Sequence, residues 1–582
     1  MTYQECYDQW LQSPSVDEAT KAELRGIADN PAEIEDRFYR ELEFGTGGMR
    51  GVIGAGTNRM NAYTVGRSTQ GLAEYVLAHG EDAAKRGVVI AHDSRRMSDA
   101  FARQAACVLA ANGVTAHLYE QLEPTPILSY SVRRLGAMAG IVITASHNPP
   151  AYNGYKVYWE DGGQLVPDMA AQLIERIDAI PVLGGVKWMD EEAARQQGLI
   201  KSVEQSVLES YYEEVLGLRL RPDTCEGVGR DMRVIYTPLH GSGNIPVRTV
   251  LNRAGFTEVK VVAEQEQPDG EFPTVKSPNP EDAEAFALAI ELAKEEDASL
   301  IIGTDPDCDR VGVVARDKDG RYQALTGNQT GVLLVDYILG GLKEKGEMPK
   351  NPLLIKTIVT SELGGVIARH YGVGVEDTLT GFKFICDRIR EYEETGEKQF
   401  VFGYEESYGY LAGTFVRDKD AVIASLLVCE MAAYYHERGK GLIEALEALW
   451  KKYGYYQESL HSIQLPGASG MEQMGGIMAY LRGNPIKQVE KEPVMRVEDY
   501  EKSVVTTTEG EEIEAIDLPR SNVLRYVMED GSWAAVRPSG TEPKIKIYFS
   551  CVAKDKISAI RRCEQTAREM MAHIDAGRKE LQ

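Results

Sequence analysis

The apolar run at residues 137–143 ends abruptly in Thr144-Ala145-Ser146-His147-Asn148-Pro149-Pro150, and this junction constrains the chain more than any other stretch. Such a run reads as a short buried strand. A polar cluster and two prolines then force the backbone out of the sheet. A serine hydroxyl is left on a loop at a strand end, where open α/β sheets place their ligands. With His147 beside it and Lys156 ten residues on, Ser146 is a candidate nucleophile or phosphate carrier. The alternative is a plain strand-to-turn junction with a capping serine.

The rest of the pattern is α/β. At 582 residues the chain is too long for one core, and roughly three to five domains are expected. Helical lead-in segments (17–25 and 33–43) precede an alternation of helix (69–79), strand (87–91), helix (98–112) and strand (114–119), then the serine strand. A second block, 231–314, carries strands at 232–236 and 259–262, a His240-Gly241-Ser242-Gly243 loop and a helix at 281–296. A third, 329–455, repeats the style with strands at 353–359 and 400–402. After 456 come short strands (523–528, 533–537, 544–549) and one helix (557–575), an α+β layout. The fold class expected is α/β, with three consecutive similar mixed-sheet domains and a smaller C-terminal α+β domain. The boundaries expected are 1–212, 213–325, 326–455 and 456–582.

Three loops carry chemistry. Asp305, Asp307 and Asp309 alternate along backbone leaving an apolar strand, and three such charges need a cation or Arg310 to neutralise them. Three carboxylates would suit Mg²⁺, whereas an EF-hand fails for want of its glycine and glutamate. Gly403-Tyr404-Glu405-Glu406-Ser407-Tyr408-Gly409-Tyr410 follows another apolar strand and could grip vicinal sugar hydroxyls. Arg537-Pro538-Ser539-Gly540-Thr541-Glu542-Pro543-Lys544 puts two cations, two hydroxyls and a glycine on one turn, a phosphate cradle. Between Phe44 and Gly56 lie six glycines in twelve residues, read as an irregular loop around Arg50, whose fork suits phosphate. There is no nucleophile elbow, Walker loop or kinase signature.

The balance of 64 basic against 89 acidic residues, −25 overall, argues against nucleic acid and anionic membranes as partners. No apolar run is long enough to span a bilayer. Eight scattered cysteines without a C-x-x-C pair and an N-terminus without a secretory pattern fit the cytoplasm.

Together these loops resemble the α-D-phosphohexomutase superfamily along essentially the whole chain. Thr144 to Pro149 looks like its phosphoserine motif, 305–310 its metal loop, 405–407 its sugar loop and 537–543 its phosphate loop. Residues 44–51, Asn58-Arg59-Met60-Asn61 and Thr380-Gly381-Phe382-Lys383-Phe384-Ile385 resemble its phosphoglucomutase-2-like branch. The resemblance implies four domains around one cleft. Ser146 would carry a phosphoryl group, with Mg²⁺ held by Asp305, Asp307, Asp309 and a serine-phosphate oxygen. Substrate contacts would come from Arg310, Thr380, Gly381, Glu405, Ser407, Lys419, Arg537, Ser539, Gly540, Thr541 and Lys544. Lys156, His147 and Lys419 are the acid/base candidates, Lys156 preferred, with Arg50 supporting the phosphoserine. The implied reaction interconverts glucose 1-phosphate and glucose 6-phosphate, with glucose 1,6-bisphosphate as intermediate and activator. A phosphomannomutase, a phosphopentomutase or a sugar-1,6-bisphosphate synthase is the alternative. Tyr404 stands where the family often has glycine, which touches substrate identity. The implied partner is a phosphorylated sugar, and the expected assembly a monomer or weak homo-oligomer.

Overall fold

The computed structural model describes residues 2–45, 47–465, 470–539 and 544–580. Two compact units result: Met1–Gly327 with Phe382–Gly441, and Asn328–Gly381 with Leu442–Gln582.

The first unit opens with helices Tyr3–Gln12, Glu18–Arg25 and Pro31–Phe38, which share a small core of Tyr7, Trp10, Leu24, Ile34 and Phe38. The third begins at the Asn30 cap and Pro31 and stops at Phe38, short of the expected 43. A seven-stranded sheet follows: β1 (Phe44–Gly45), β2 (Gly48–Val52), β3 (Val88–His92), β4 (Ala116–Leu118), β5 (Ala139–Ile143), β6 (Tyr152–Trp159) and β7 (Ile200–Ser202). Its order is β1-β2-β6-β5-β3-β4-β7. Strands β5, β3, β4 and β7 run parallel, while β6, β2 and β1 are antiparallel additions. Every residue of β3 and β5 is buried, as parallel strands covered by helices require. Leu72, Phe101, Ile141 and Leu173 meet in that core.

The glycine-rich stretch is not an irregular loop. Its first part is the β1–β2 hairpin, and β2 pairs with β6 from Gly48 opposite Lys156 to Val52 opposite Tyr152. Glycine is needed here for proximity. A Cβ on Gly48, at φ +127°, would sit 2.0 Å from the Tyr155 carbonyl oxygen, and one on Gly154 2.4 Å from that of Thr144. The glycines let β2 press onto β6 and carry Arg50 to the serine loop.

A second, five-stranded sheet contains β8 (Val234–Thr237), β9 (Val259–Val261), β10 (Leu300–Thr304), β11 (Val311–Arg316) and β12 (Tyr322–Leu325), in the order β12-β11-β10-β8-β9. β8 is parallel to β9 and β10, and β10, β11 and β12 form an antiparallel meander. The helix expected at 281–296 is broken. The Asp282 carboxylate caps a 3₁₀ turn, Ala283–Phe286, before helix Ala287–Glu295 begins. The unit also holds the antiparallel pair Gln399–Tyr404 and Tyr410–Ala412, and helix Ala421–Glu437. Asp420 starts that helix by accepting from the amides of Val422 and Ile423 and from the Tyr211 hydroxyl.

In the second unit, Pro352–Thr357 pairs in parallel with Gly374–Thr378. Seven antiparallel strands follow in spatial order Tyr455–Gln464, Lys544–Ala553, Trp533–Pro538, Leu524–Met528, Glu492–Asp499, Val504–Thr506 and Glu512–Ala515. Helices Gly470–Gly483 and Lys556–Glu580 supply Ile477, Met478 and Met570 to a core with Phe549. This is the expected α+β layout.

Candidate active site

Ser146 lies three residues beyond β5 with φ +52°, a left-handed conformation that costs a non-glycine residue on the order of 1–2 kcal/mol. Local bonds impose it. The Ser146 amide donates to Thr144 Oγ1 at 2.7 Å, and that hydroxyl donates to Asp93 Oδ2 at 2.6 Å. The Arg95 guanidinium, beside Asp93, donates to the Ser146 carbonyl from both Nε (3.2 Å) and Nη2 (2.5 Å). So held, Ser146 Oγ donates to Asp305 Oδ2 at 2.8 Å and lies 3.1 Å from His147 Nδ1. Burial, helped by the Arg310 and Arg50 guanidiniums, pushes the His147 pKa well down, so the ring is neutral. Arg50 reaches the same loop, donating to Asn148 Oδ1 at 3.1 Å.

Asp305, Asp307 and Asp309 occupy the turn between β10 and β11. Cys308 takes φ +51°, and Asp305 Oδ1 accepts from the amides of Asp309 (3.1 Å) and Arg310 (3.0 Å). All three carboxylates are buried, and they offer ligand oxygens within 4.8 Å of one another. Two ammoniums balance them. Lys156 Nζ, from β6, lies 2.7 Å from Asp307 Oδ2 and 3.4 Å from Asp309 Oδ2, and Lys419 Nζ lies 2.8 Å from Asp309 Oδ2. Burial, reinforced by the charges of Asp307 and Asp309, pushes the Asp305 pKa well up. Burial acts on Asp307 as well, but the Lys156 ammonium outweighs it and holds that carboxyl low. Lys156 and Lys419 are themselves held protonated, since the aspartates overcome the burial penalty.

Two oxygens in this cluster, Asp307 Oδ1 and Asp309 Oδ1, are buried without a hydrogen-bond partner. Buried acceptors normally find donors, and an all-oxygen set with unclaimed lone pairs fits a hard divalent cation.

The sugar-loop residues adjoin this turn. Tyr408, at φ +66°, accepts from the Val311 amide at 3.2 Å, and the Glu405 amide closes the loop onto the Gly409 carbonyl at 2.9 Å. Glu405 is buried and Ser407 half-buried. Tyr404 is fully buried and stacks on Phe402 at 5.9 Å, so the ring replacing glycine belongs to the core. Arg310 is tied to Glu281, and Lys419 contacts Asp418, which accepts from the Tyr158 hydroxyl at 2.7 Å. Thr380, Gly381, Arg537, Ser539 and Lys544 belong to the second unit. The first two follow the strand Gly374–Thr378, and the Ser539 amide donates to the Lys544 carbonyl at 2.9 Å. Gly540 and Thr541 lie outside the described residues.

The sequence reading missed Asp93, Arg95, Thr125 and Glu281. Thr125 Oγ1 donates to Asp307 Oδ2 at 3.1 Å, and its amide to the Asp307 carbonyl at 2.9 Å. A signal existed for the first pair: Asp93-Ser94-Arg95 follows an apolar strand as the other three loops do.

A serine hydroxyl bonded into a buried carboxylate trio, on an α/β frame, is an arrangement that can carry a transferred group on the hydroxyl and a divalent cation on the carboxylates. Four profiles of one family match in order: the phosphoglucomutase/phosphomannomutase alpha/beta/alpha domains I (41–182), II (209–320) and III (326–453), and the C-terminal domain (486–564). The chain belongs to the phosphoglucomutase/phosphomannomutase family of phosphosugar mutases. It is 40% identical to the phosphoglucomutase of Staphylococcus saprophyticus over 88% of this chain and 91% of that one. With the Staphylococcus aureus phosphoglucomutase (MRSA252) it shares 37% over 91% and 94%. Among solved structures, the Paramecium phosphoglucomutase parafusin aligns with a TM-score of 0.67 at 18% identity, covering 92% and 95%. A Burkholderia thailandensis family member aligns with a TM-score of 0.62 at 20% identity, covering 91% and 97%. These two show the shared fold. None of the described helices is long and apolar enough to cross a membrane.

Proposed function

We propose that this chain catalyses the phosphoglucomutase reaction, interconverting α-D-glucose 1-phosphate and glucose 6-phosphate through phosphoserine 146 and a glucose 1,6-bisphosphate intermediate. The observation that carries this reading is the Ser146 hydroxyl, 2.8 Å from Asp305 within the buried trio. The staphylococcal relatives support glucose as the sugar.

Asp305, Asp307, Asp309 and an oxygen of the serine phosphate would hold Mg²⁺. When bound, the ion offsets the charge on the phosphoryl group in flight. Arg537, Ser539, Gly540, Thr541 and Lys544 take the substrate's own phosphate. Glu405 and Ser407 hold ring hydroxyls, with Thr380, Gly381, Arg310 and Lys419 as further contacts. Ser146 passes its phosphoryl to the free sugar hydroxyl, the bisphosphate turns end over end, and its other phosphate returns to Ser146. Of the acid/base candidates, His147, neutral and 3.1 Å from Ser146 Oγ, is placed to take the serine's proton in the second transfer, when the bisphosphate returns a phosphoryl group to Ser146. Lys156, held as an ammonium, starts as the acid rather than the base. Arg50 steadies the loop through Asn148.

An enzyme-linked assay with Mg²⁺ and a trace of glucose 1,6-bisphosphate tests the reading on glucose, mannose and ribose 1-phosphates in parallel. The glucose substrate should turn over fastest. Preference for ribose or mannose would overturn the sugar assignment, and stoichiometric consumption of a phosphate donor would indicate a bisphosphate synthase.

A further inference from the structure

The serine loop is built around a residue that faces no solvent. The Arg95 side chain has no exposed surface, and neither has its partner Asp93, 3.4 Å away. All five N–H groups of the guanidinium are bonded to loop carbonyls. Nε and one Nη2 hydrogen go to Ser146, the other Nη2 hydrogen to Asn148, and Nη1 to Pro149 (3.0 Å) and Tyr152 (3.1 Å). Asp93 meanwhile accepts from the Arg95 amide (2.9 Å), Ser98 Oγ (2.8 Å) and Thr144 Oγ1 (2.6 Å), and Thr144 accepts from the Ser146 amide. The pair therefore grips both the amide and the carbonyl of the serine, the two groups that set its left-handed backbone and hence the direction of its hydroxyl.

A neighbouring segment closes over this grip. The Phe272 ring lies 5.0 Å from the guanidinium carbon, with Phe272 at φ +47°. Gly270 abuts the Arg95–Arg96 backbone so closely that a Cβ there would sit 2.5 Å from the Arg96 nitrogen. Ser277 Oγ donates to the His147 carbonyl at 2.8 Å. The loop carrying the nucleophile is thus fastened from below by Arg95 and from the side by residues 270–277.

We propose that Arg95 is the positioning residue of the serine loop, aligning the Ser146 hydroxyl for phosphoryl transfer without touching the substrate, with Phe272 holding its guanidinium in place. The inference rests on the reading of Ser146 as the phosphoryl carrier. Lysine cannot substitute, because an ammonium has three donors and no planar fork to span four carbonyls. A misplaced nucleophile slows chemistry while leaving sugar binding to other residues, so the loss falls on kcat rather than KM.

The test compares Arg95→Lys and Phe272→Leu with the wild-type protein in the glucose 1-phosphate assay. Single-turnover phosphorylation of Ser146 by glucose 1,6-bisphosphate is followed by intact mass. Wild-type turnover is established first, so failure of the mutase reading shows itself before any variant is compared. The expected result for Arg95→Lys is a fall in kcat on the order of 100-fold, matched by slower serine phosphorylation, with KM within about threefold. Phe272→Leu should show a smaller loss of the same kind. If Arg95→Lys does not fold, Phe272→Leu decides the matter. A kcat equal to wild type in the folded variant, or a loss confined to KM, would overturn the proposal.

Discussion

At the scale of single residues, the site depends on like charges being held together. Three buried carboxylates repel one another, and Lys156, Lys419, the hydroxyls of Ser146 and Thr125 and backbone amides hold them in this arrangement. Asp307→Asn replaces the residue carrying one of the two unclaimed oxygens and breaks the Lys156 pairing. Turnover should fall by about two to three decades, with more Mg²⁺ needed for half-maximal rate. A metal titration of the purified variant checks this, and an unchanged Mg²⁺ requirement would remove Asp307 from the metal site. Much of this cluster was legible in sequence, because Ser146 and the three aspartates sit where apolar strands end. Thr125 was not, since its partner Asp307 lies far along the chain, and Arg95 showed only in its place after an apolar strand, because the serine-loop carbonyls it binds are equally remote. Tyr404 shows the opposite error: its neighbours carry chemistry, but strand alternation places its ring in the core beside Phe402.

At the scale of elements, spacing located most strands and helices and missed where tertiary contact overrides local signals. The glycine-rich stretch reads as loop by composition, yet its glycines exist to let β2 lie against β6. Gly48→Ala should therefore destabilise the protein by about 3 kcal/mol or more, through a positive φ and a Cβ overlapping the Tyr155 carbonyl. Denaturant midpoints measure the change, and a neutral result would mean the hairpin shifts without cost. Helix 281–296 is broken by a local contact instead: Asp282 captures the Glu284 amide at the start of a 3₁₀ turn.

At the scale of the whole molecule, the order of the four family profiles along the chain agrees with the domain order read from alternation and composition. Stability should carry a pH signature from Glu123, which precedes helix Thr125–Leu135 and whose pKa burial pushes up from 4.5 to about 8. An acid with a raised folded pKa stabilises the fold only while both states keep the proton. That contribution is whole below about pH 4.5 and drains away as the pH climbs towards 8, at roughly 1.4 kcal/mol per unit. Glu123→Gln should thus gain stability over wild type between pH 5 and 8.5, and parallel midpoints at both pH values would contradict the assignment. The central claim is that Ser146 carries the phosphoryl group between the two ends of a sugar. It is tested most directly by incubating the protein with ³²P-labelled glucose 1,6-bisphosphate and mapping the labelled peptide. The account expects one label, on Ser146, discharged by unlabelled glucose 1-phosphate and absent from Ser146→Ala. Label on another residue, or none on a protein that still turns over glucose 1-phosphate, would contradict it.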